Sequence, residues 1–358
     1  MARPDAHLPG RLGDPDLTIA TDPRLDPRVR ATLEGGLGEL AQAPPVGPDA
    51  PLADILAFIA EFEAEGAAID EGYADLPPVE GVDRRTEVIE GVDGNAITLH
   101  IVQPAARQGP VPGIVHTHGG GMCFFSAEEA PYVRWRDELA ATGLVVVGVD
   151  FRNAAGKMGV HPFPASLNDC ASGTRWTYRN RETLGVSHVV VSGESGGGNL
   201  SIATALKALR EGWIGEMAGV YACCPYIAGE YHPPLPELVS WRENGGYMMN
   251  EVMGKVTATA YDPGGENARN PLAWPYHAAR DDLVGLPPHV VSVNELDPLR
   301  DEGLIFARKL MAAGVPTVSR TVNGTAHGGD TVTPQVLPEA YYATIRDVHG
   351  FACALGSA

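Results

Sequence analysis

The chain of 358 residues is 44% hydrophobic and 20% charged, a composition typical of a folded globular protein. Its formal net charge of −19 argues against nucleic acid or an anionic membrane surface as a partner. No apolar run of about 18 residues occurs, so we expect no transmembrane span. The length allows one large α/β domain with an accessory layer, or two domains.

The first residues, MARPDAHLPGRLGDPD, lack the apolar core of a secretory signal. The five cysteines are odd in number, and no two of them have the CxxC spacing of a zinc or redox site. We therefore expect buried thiols in a reducing cytoplasm, without a disulfide frame. The cysteines are Cys123, Cys170, Cys223, Cys224 and Cys353.

The first part of the chain contains one predicted helix and one predicted hairpin. Residues 1 to about 50 are rich in Pro, Asp and Gly, and we expect them to run over the surface. Residues 53–66, ADILAFIAEFEAEG, repeat apolar side chains at the spacing of an amphipathic helix. Residues 86–104 indicate two antiparallel strands joined at Asp93-Gly94.

Short apolar runs separated by helix-length segments follow. This spacing predicts an α/β fold with a mostly parallel sheet and buried strands. The predicted strands are 113–116, 144–149, 189–192, 219–223, 290–293 and 317–322.

The link between Cys223 and Val290 is far longer than an ordinary βαβ connection. It contains many prolines and glycines and several aromatic residues. Insertions in α/β sheets commonly lie over the carboxyl ends of the strands, where ligands bind. We expect a cap over an active site, completed by the N-terminal helix; the alternative is a second packing layer with surface loops.

The sequence VVVSGESGGGNLSIATAL (189–206) carries the clearest chemical signal. An apolar strand leads into G-x-S-x-G, and a helical pattern follows at once, so the sharp turn exposes the Ser195 hydroxyl. The N-terminus of the new helix favours negative charge at the same place. Ser195 is the predicted nucleophile, and a purely structural turn is the alternative.

A serine nucleophile needs a base and an acid that orients the base, in the chain order Ser, acid, His. His327 lies in NGTAHGGD, a glycine-flanked loop after the last predicted strand, and is the predicted base. NELDPLRDEG (294–303) follows the preceding strand and offers several acids. Asp297, beside Pro298, is the predicted partner of the histidine, whereas Asp301 and Glu302 are expected to cap the next helix.

The run HTHGGGMCF (116–124) is explained by the same chemistry. Acyl transfer creates an oxyanion, and backbone N–H groups are preorganised donors for it. We expect the amides of Gly119, Gly120 and Gly196 to meet at one point, and His118 to hold the loop by a hydrogen bond. A metal site at the two histidines is the alternative, but no HxxE, HxxH or Asp cluster accompanies them.

HGGG (118–121), GESGG (193–197), DPLRDEG (297–303) and the loop histidine at 327 together resemble the hormone-sensitive-lipase family of α/β-hydrolases. The similarity runs from about residue 85 to the end and extends into the N-terminal segment. It implies an α/β-hydrolase fold with helices on both faces of the sheet. Two departures are Glu194 in place of the usual Asp and Gly196 in place of the usual Ala.

The resemblance implies a serine carboxylesterase with Ser195, Asp297 and His327 as its triad and no cofactor. The implied division is an N-terminal cap segment (1–84), a first core part (85–224), a cap insertion (225–280) and a second core part (281–358). We expect short-chain or bulky carboxylic esters as substrates, with lactones left open. Amide hydrolysis and a non-catalytic receptor on this fold are the alternatives, and the oligomeric state is open, a homo-oligomer included.

Overall fold

The computed structural model describes residues 10–34, 44–65 and 72–356. A single sheet runs through it with the strand order β1-β2-β4-β3-β5-β6-β7-β8. The strands are β1 Val82–Glu90, β2 Ala96–Pro104, β3 Val111–Thr117, β4 Val145–Asp150, β5 Val186–Glu194, β6 Gly219–Cys223, β7 His289–Asn294 and β8 Thr317–Val322.

The strand directions confirm the predicted hairpin and the mostly parallel sheet. Strand β1 pairs antiparallel with β2, and β2 pairs antiparallel with β4. All the other pairs, from β4 through β3 to β8, are parallel. The turn of the hairpin contains Gly94 at φ 77°, a backbone conformation that glycine adopts without steric cost.

Helices cover both faces of the sheet, because successive residues of the buried strands are apolar on both sides. The helices are α1 Pro27–Glu34, α2 Leu52–Glu65, α3 Ala130–Ala141, α4 Ala165–Arg179, α5 Arg181–Leu184, α6 Gly196–Arg210, α7 Ser240–Asn244, α8 Glu251–Tyr261, α9 Arg280–Leu283, α10 Arg300–Ala312 and α11 Pro338–Leu355. Val115, Val147 and Val191 lie in one buried cluster with residues of α4, α6 and α10, whereas Ile114 and Val190 lie in another with residues of α3 and α11.

The segment inserted between β6 and β7, residues 225–280, packs several aromatic side chains together. The rings of Tyr226 and Tyr231 stack with their centroids 4.6 Å apart, and Trp274 packs edge-on against Tyr226. All three side chains are buried. Helix α8 of this insertion contacts α2 of the N-terminal segment, so the two accessory parts lie against each other.

The predicted helix at 53–66 is confirmed as α2, although Gly66 lies outside the described residues. The expectation that residues 1 to about 50 run over the surface is wrong for part of this stretch. Ile19, Asp22 and Leu25 are buried. The two apolar side chains join a cluster with Tyr247, Leu296 and Ala326, and burial of this apolar surface draws the segment onto the core.

None of the five cysteines, all of which lie in the described ranges, forms a disulfide bond. Four of them are buried as predicted, but Cys353 is exposed, since it lies near the end of the amphipathic helix α11. Within the described ranges, no helix combines the length and the apolar character needed to cross a membrane.

Candidate active site

Ser195 occupies the sharp turn between β5 and α6, as the strand–turn–helix pattern predicted. Its backbone has φ 56° and ψ −118°, a strained conformation for a residue with a side chain. The flanking glycines are required by space. A Cβ on Gly193 would lie 2.3 Å from the carbonyl oxygen of Thr117, and one on Gly197 would lie 1.9 Å from the same atom.

Asp297 and His327 form a hydrogen-bonded pair in the loops after β7 and β8. His327 Nδ1 lies 2.8 Å from Asp297 Oδ2, and the aspartate is fully buried. The other oxygen, Oδ1, accepts the N–H of Leu299 at 2.9 Å, which fixes the carboxylate. Burial alone would lower the pKa of His327, but the Asp297 carboxylate outweighs it and raises this pKa well above 6.5.

Cys224 is a member of this site that the sequence reasoning did not identify. One ligand atom of each of Cys224, Asp297 and His327 lies within 4.8 Å of the other two. The Ser195 N–H donates to the carbonyl of Cys223 at 3.0 Å, so Cys224 lies between the serine turn and the histidine. Its place at the carboxyl end of a predicted strand was the available signal.

Ser195 and His327 make no side-chain hydrogen bond to each other within the described part of the chain, where the ring of His327 bonds to Asp297. Hydrogen bonds between a nucleophile and its base are often long without substrate and tighten when it binds. Burial raises the pKa of the Cys224 thiol to about 11, so this thiol is neutral at physiological pH.

The two histidines of the HTHGGG run have protein partners. His116 lies at the end of β3, and His118 is the first residue of the glycine loop (residues 118–126). His116 Nε2 lies 3.0 Å from Glu194 Oε2. His118 Nδ1 lies 2.9 Å from the carbonyl oxygen of Gly119, the predicted hydrogen bond, and its ring stacks on Phe151. Burial lowers the pKa of His118 to about 3, which keeps it neutral.

The predicted oxyanion donors divide into two groups. Gly119 N–H donates to Glu194 Oε1 at 3.0 Å, so this amide is engaged within the protein. The N–H groups of the predicted Gly120 and Gly196, and of Gly121, which was not predicted, have no such acceptor in the ranges that the structure describes. A Cβ on Gly196 would lie 2.8 Å from the nitrogen of Gly121, so the loop amides and the start of α6 converge.

Asp301 and Glu302 correct an expectation, because neither side chain caps helix α10. Asp301 Oδ2 accepts the N–H of Ser240 at 2.7 Å, and Glu302 Oε1 accepts the N–H of Ile227 at 2.8 Å. Glu302 is fully buried, and burial raises its pKa well above the ordinary range. Both acids therefore bind the segment 225–280 to helix α10.

A network of hydrogen bonds from the N-terminal segment reaches the loop of Asp297, and no sequence pattern indicated it. Arg24 donates through Nη2 to Asn244 Oδ1 at 3.1 Å. The Asn244 amide in turn donates to the carbonyl oxygens of Glu295 and Asp297, each at 3.1 Å. The backbone of Asp297, the proposed acid, is thus linked through Asn244 to Arg24, which lies 220 positions before Asn244 in the sequence.

A profile of the alpha/beta hydrolase fold matches residues 114–330, more than half of the chain. Among solved structures, brefeldin A esterase, described as a bacterial homologue of human hormone-sensitive lipase, is 48% identical with a TM-score of 0.93. That likeness covers 98% of this chain and 99% of the other. Esterase Est22 is 33% identical, covers 94% of this chain and 99% of its own, and has a TM-score of 0.84.

Curated relatives agree with the solved structures. Carboxylesterase NlhH of Mycobacterium tuberculosis is 30% identical over 286 residues, which is 78% of this chain and 85% of NlhH. Esterase LipI of the same organism is 28% identical over the same shares. The chain therefore belongs to the hormone-sensitive-lipase family of α/β-hydrolases and is a carboxylic ester hydrolase.

Proposed function

We propose that this protein is a serine carboxylesterase that works through an acyl-enzyme on Ser195, with His327 as base and Asp297 as its orienting acid. The observation that carries the proposal is the 2.8 Å pair of His327 and Asp297, which lies on the same sheet edge as the strained serine turn. Strands β5, β6, β7 and β8 are consecutive neighbours, so the loops that follow them meet at one edge.

The pair fixes the direction of proton transfer. With Nδ1 bound to Asp297, the Nε2 atom of His327 is the one left to accept the proton of the Ser195 hydroxyl. The serine oxygen attacks the ester carbonyl, and the protonated His327 then donates to the leaving alcohol. A water molecule activated by the same nitrogen hydrolyses the acyl-enzyme, and Asp297 stabilises the imidazolium in both steps without itself taking the proton.

The oxyanion of both tetrahedral intermediates is stabilised by the amides of Gly120, Gly121 and Gly196. These replace the set that included Gly119, because the Gly119 N–H already donates to Glu194. Gly120 has φ 92°, and a Cβ there would lie 2.1 Å from the carbonyl oxygen of Phe124, so the loop requires glycine. The N-terminus of α6 adds a favourable dipole at the same point.

The substrate is a short-chain or bulky carboxylic ester, lactones included. Aromatic side chains of the N-terminal helix and the glycine loop pack together beside the site, with the rings of Phe62 and Phe124 5.4 Å apart. Such walls give a pocket of finite depth, which favours acyl groups that fill it. The similarity to brefeldin A esterase makes brefeldin A itself the first bulky substrate to test.

The division into a core, an N-terminal cap segment (1–84) and a cap insertion (225–280) belongs to the same proposal. The contact between α2 and α8 supports it, as does the position of Thr257 in α8, 3.5 Å from where a Cβ on Gly121 would lie. The cytoplasmic location stays a prediction, and a homo-oligomer stays one option for the oligomeric state.

The test is the Ser195→Ala variant, with p-nitrophenyl butyrate and the matched butyranilide as substrates. We expect an intact fold, almost complete loss of ester turnover, and labelling of Ser195 by a fluorophosphonate in the parent protein. Substantial turnover by the alanine variant, free of parent enzyme, would overturn the triad. A higher kcat/KM for the anilide than for the ester would reassign the protein as an amide hydrolase.

A further inference from the structure

Glu63 is a buried carboxyl group on helix α2 that none of the steps above uses. Its side chain is 8% exposed, although it belongs to the N-terminal segment. Oε1 accepts the backbone N–H of Phe125 at 2.6 Å, and Oε2 accepts the backbone N–H of Lys157 at 2.5 Å. One side chain of the cap segment therefore binds two separate core loops.

The first of these loops is the glycine loop, and its backbone is strained just beyond the proposed oxyanion donors. Met122 and Phe125 have φ values of 61° and 71°, the left-handed region that residues with side chains rarely adopt. Such conformations persist only where surrounding contacts hold them. Glu63 supplies one such contact, because its bond to the Phe125 amide fixes the end of this strained stretch.

The second loop, residues 153–157, holds the same stretch from the other side. Asn153 Nδ2 donates to the carbonyl oxygen of Phe125 at 2.6 Å, and Ala154 N–H donates to that of Met122 at 2.9 Å. Glu63 thus closes a small ring of hydrogen bonds around the glycine loop. These two bonds and the bond of Glu63 to the Phe125 amide leave the loop little freedom to move its amides away from the oxyanion.

We propose that Glu63 is a positioning residue for catalysis, which holds the glycine loop so that the Gly120 and Gly121 amides point at the oxyanion. The inference rests on the proposed function, because it presumes the serine mechanism. It makes the N-terminal segment a part of the catalytic apparatus as well as a cover over the substrate. The expected effect is on the transition state, since the oxyanion forms only during reaction.

A carboxyl group suits this place because both of its oxygens face N–H donors. In Glu63→Gln, which has the same shape, one of the two backbone donors must face the amide NH₂ and loses its acceptor. Gly156→Ala perturbs the same contact from the opposite side, because a Cβ there would lie 2.3 Å from Glu63 Oε2. Two substitutions at different positions therefore test one contact.

The experiment measures kcat and KM on p-nitrophenyl butyrate, normalised by fluorophosphonate titration of active sites, and the inhibition constant of an alkylboronic acid. A boronate on Ser195 forms a tetrahedral adduct that imitates the transition state. For Glu63→Gln we expect kcat to fall about tenfold or more with KM within about twofold, and boronate inhibition to weaken by a similar factor. Gly156→Ala should move the same quantities in the same direction.

Glu61→Gln is the matched control, because Glu61 lies on the same helix and is exposed. Gly109→Ala controls for backbone strain alone, because Gly109 has φ 75° and a Cβ there would meet no non-neighbouring atom of the described residues within 4 Å. The inference is overturned if the Glu63 and control variants have equal kcat per titrated site, or if KM rises while kcat and boronate affinity stay constant. Failure of the proposed function is a separate outcome, visible as activity in Ser195→Ala.

Discussion

Replacing Arg24 with methionine removes the centre of the polar network that joins the N-terminal segment to the loop of Asp297. The guanidinium makes two hydrogen bonds to Asp22, at 3.0 and 2.7 Å, and also binds Glu243 and Asn244. The Arg24 side chain is 12% exposed, and those of Asp22 and Glu243 are 0% and 5% exposed. Methionine keeps an unbranched apolar stem and removes the charge and the donors of the guanidinium.

The expected loss follows from what remains after the substitution. Removing one partner of a buried ion pair costs about 3–5 kcal/mol, because the other charge stays buried. Here Asp22 keeps the Tyr247 hydroxyl at 3.0 Å, and Glu243 keeps Arg300 at 2.8 Å. Neither carboxylate is left without a donor, so we expect a loss near the lower end, about 3 kcal/mol.

Urea denaturation, followed by fluorescence and circular dichroism, measures this loss as a lower midpoint at constant m value. Arg28→Met is the control, since the Arg28 side chain is 50% exposed and pairs with the exposed Glu339; we expect its midpoint to match the parent.

Burial alone would raise the pKa of Asp22, but Arg24 outweighs it and lowers this pKa below 3.8. The unfolding free energy that the ionised Asp22 contributes is present above pH 3.8 and is lost as the pH falls through the lowered pKa. The difference in unfolding free energy between Arg24→Met and the parent should therefore shrink in that acidic range. Equal midpoints for the Arg24 and Arg28 variants at pH 7 would refute the reasoning.

The remaining predictions concern catalysis. Because Asp297 raises the pKa of His327 above 6.5, kcat/KM should rise with pH through an acid limb that lies above 6.5. Asp297→Asn should lower kcat by about 10⁴ and move the limb of the residual activity to lower pH, and an unmoved limb would contradict the assignment. Asp301→Asn keeps an oxygen for the Ser240 N–H, so it should cost about 1 kcal/mol of unfolding free energy with little change in kcat; a loss of kcat like that of Asp297→Asn would reverse the roles. Dialysis against EDTA should leave the rate unchanged, and a loss that zinc restores would argue for a metal enzyme. The kcat/KM of esters should be highest for short acyl chains and fall sharply by about C10, whereas preference for long-chain triglyceride would exclude an enclosed pocket.

The sequence was sufficient where structure follows directly from local chain geometry. The sharp turn at Ser195 was predictable because a strand, a glycine-flanked turn and a helix are consecutive in the chain. The contact of Asp297 with His327 was predictable because each follows a strand and parallel strands end at one edge. The burial of both faces of the sheet followed from unbroken apolar runs.

Contacts between distant parts of the chain were not predictable, because a side chain's partner leaves no periodic signal in one sequence. Asp301 looked like a helix cap, yet its partner Ser240 lies 61 positions earlier, in the segment 225–280. The Gly119 amide was expected to donate to the oxyanion, yet it donates to the Glu194 carboxylate. Only the folded geometry shows which N–H groups of a glycine run already have an acceptor in the protein. Glu63 had no distinguishing neighbour in the sequence at all.

The N-terminal segment has a consequence for synthesis of the protein on the ribosome. The N–H of Asp26 donates to the carbonyl of Gly324 at 3.0 Å, so this segment is paired with a loop that is translated long after it. At the usual rates of translation, that loop follows about 15–60 s later. A nascent chain that ends before residue 324 already contains Ser195, but it lacks His327 and the loop that receives the N-terminal segment. If the proposed triad is correct, hydrolytic activity should therefore appear only after the loop that contains His327 has been translated.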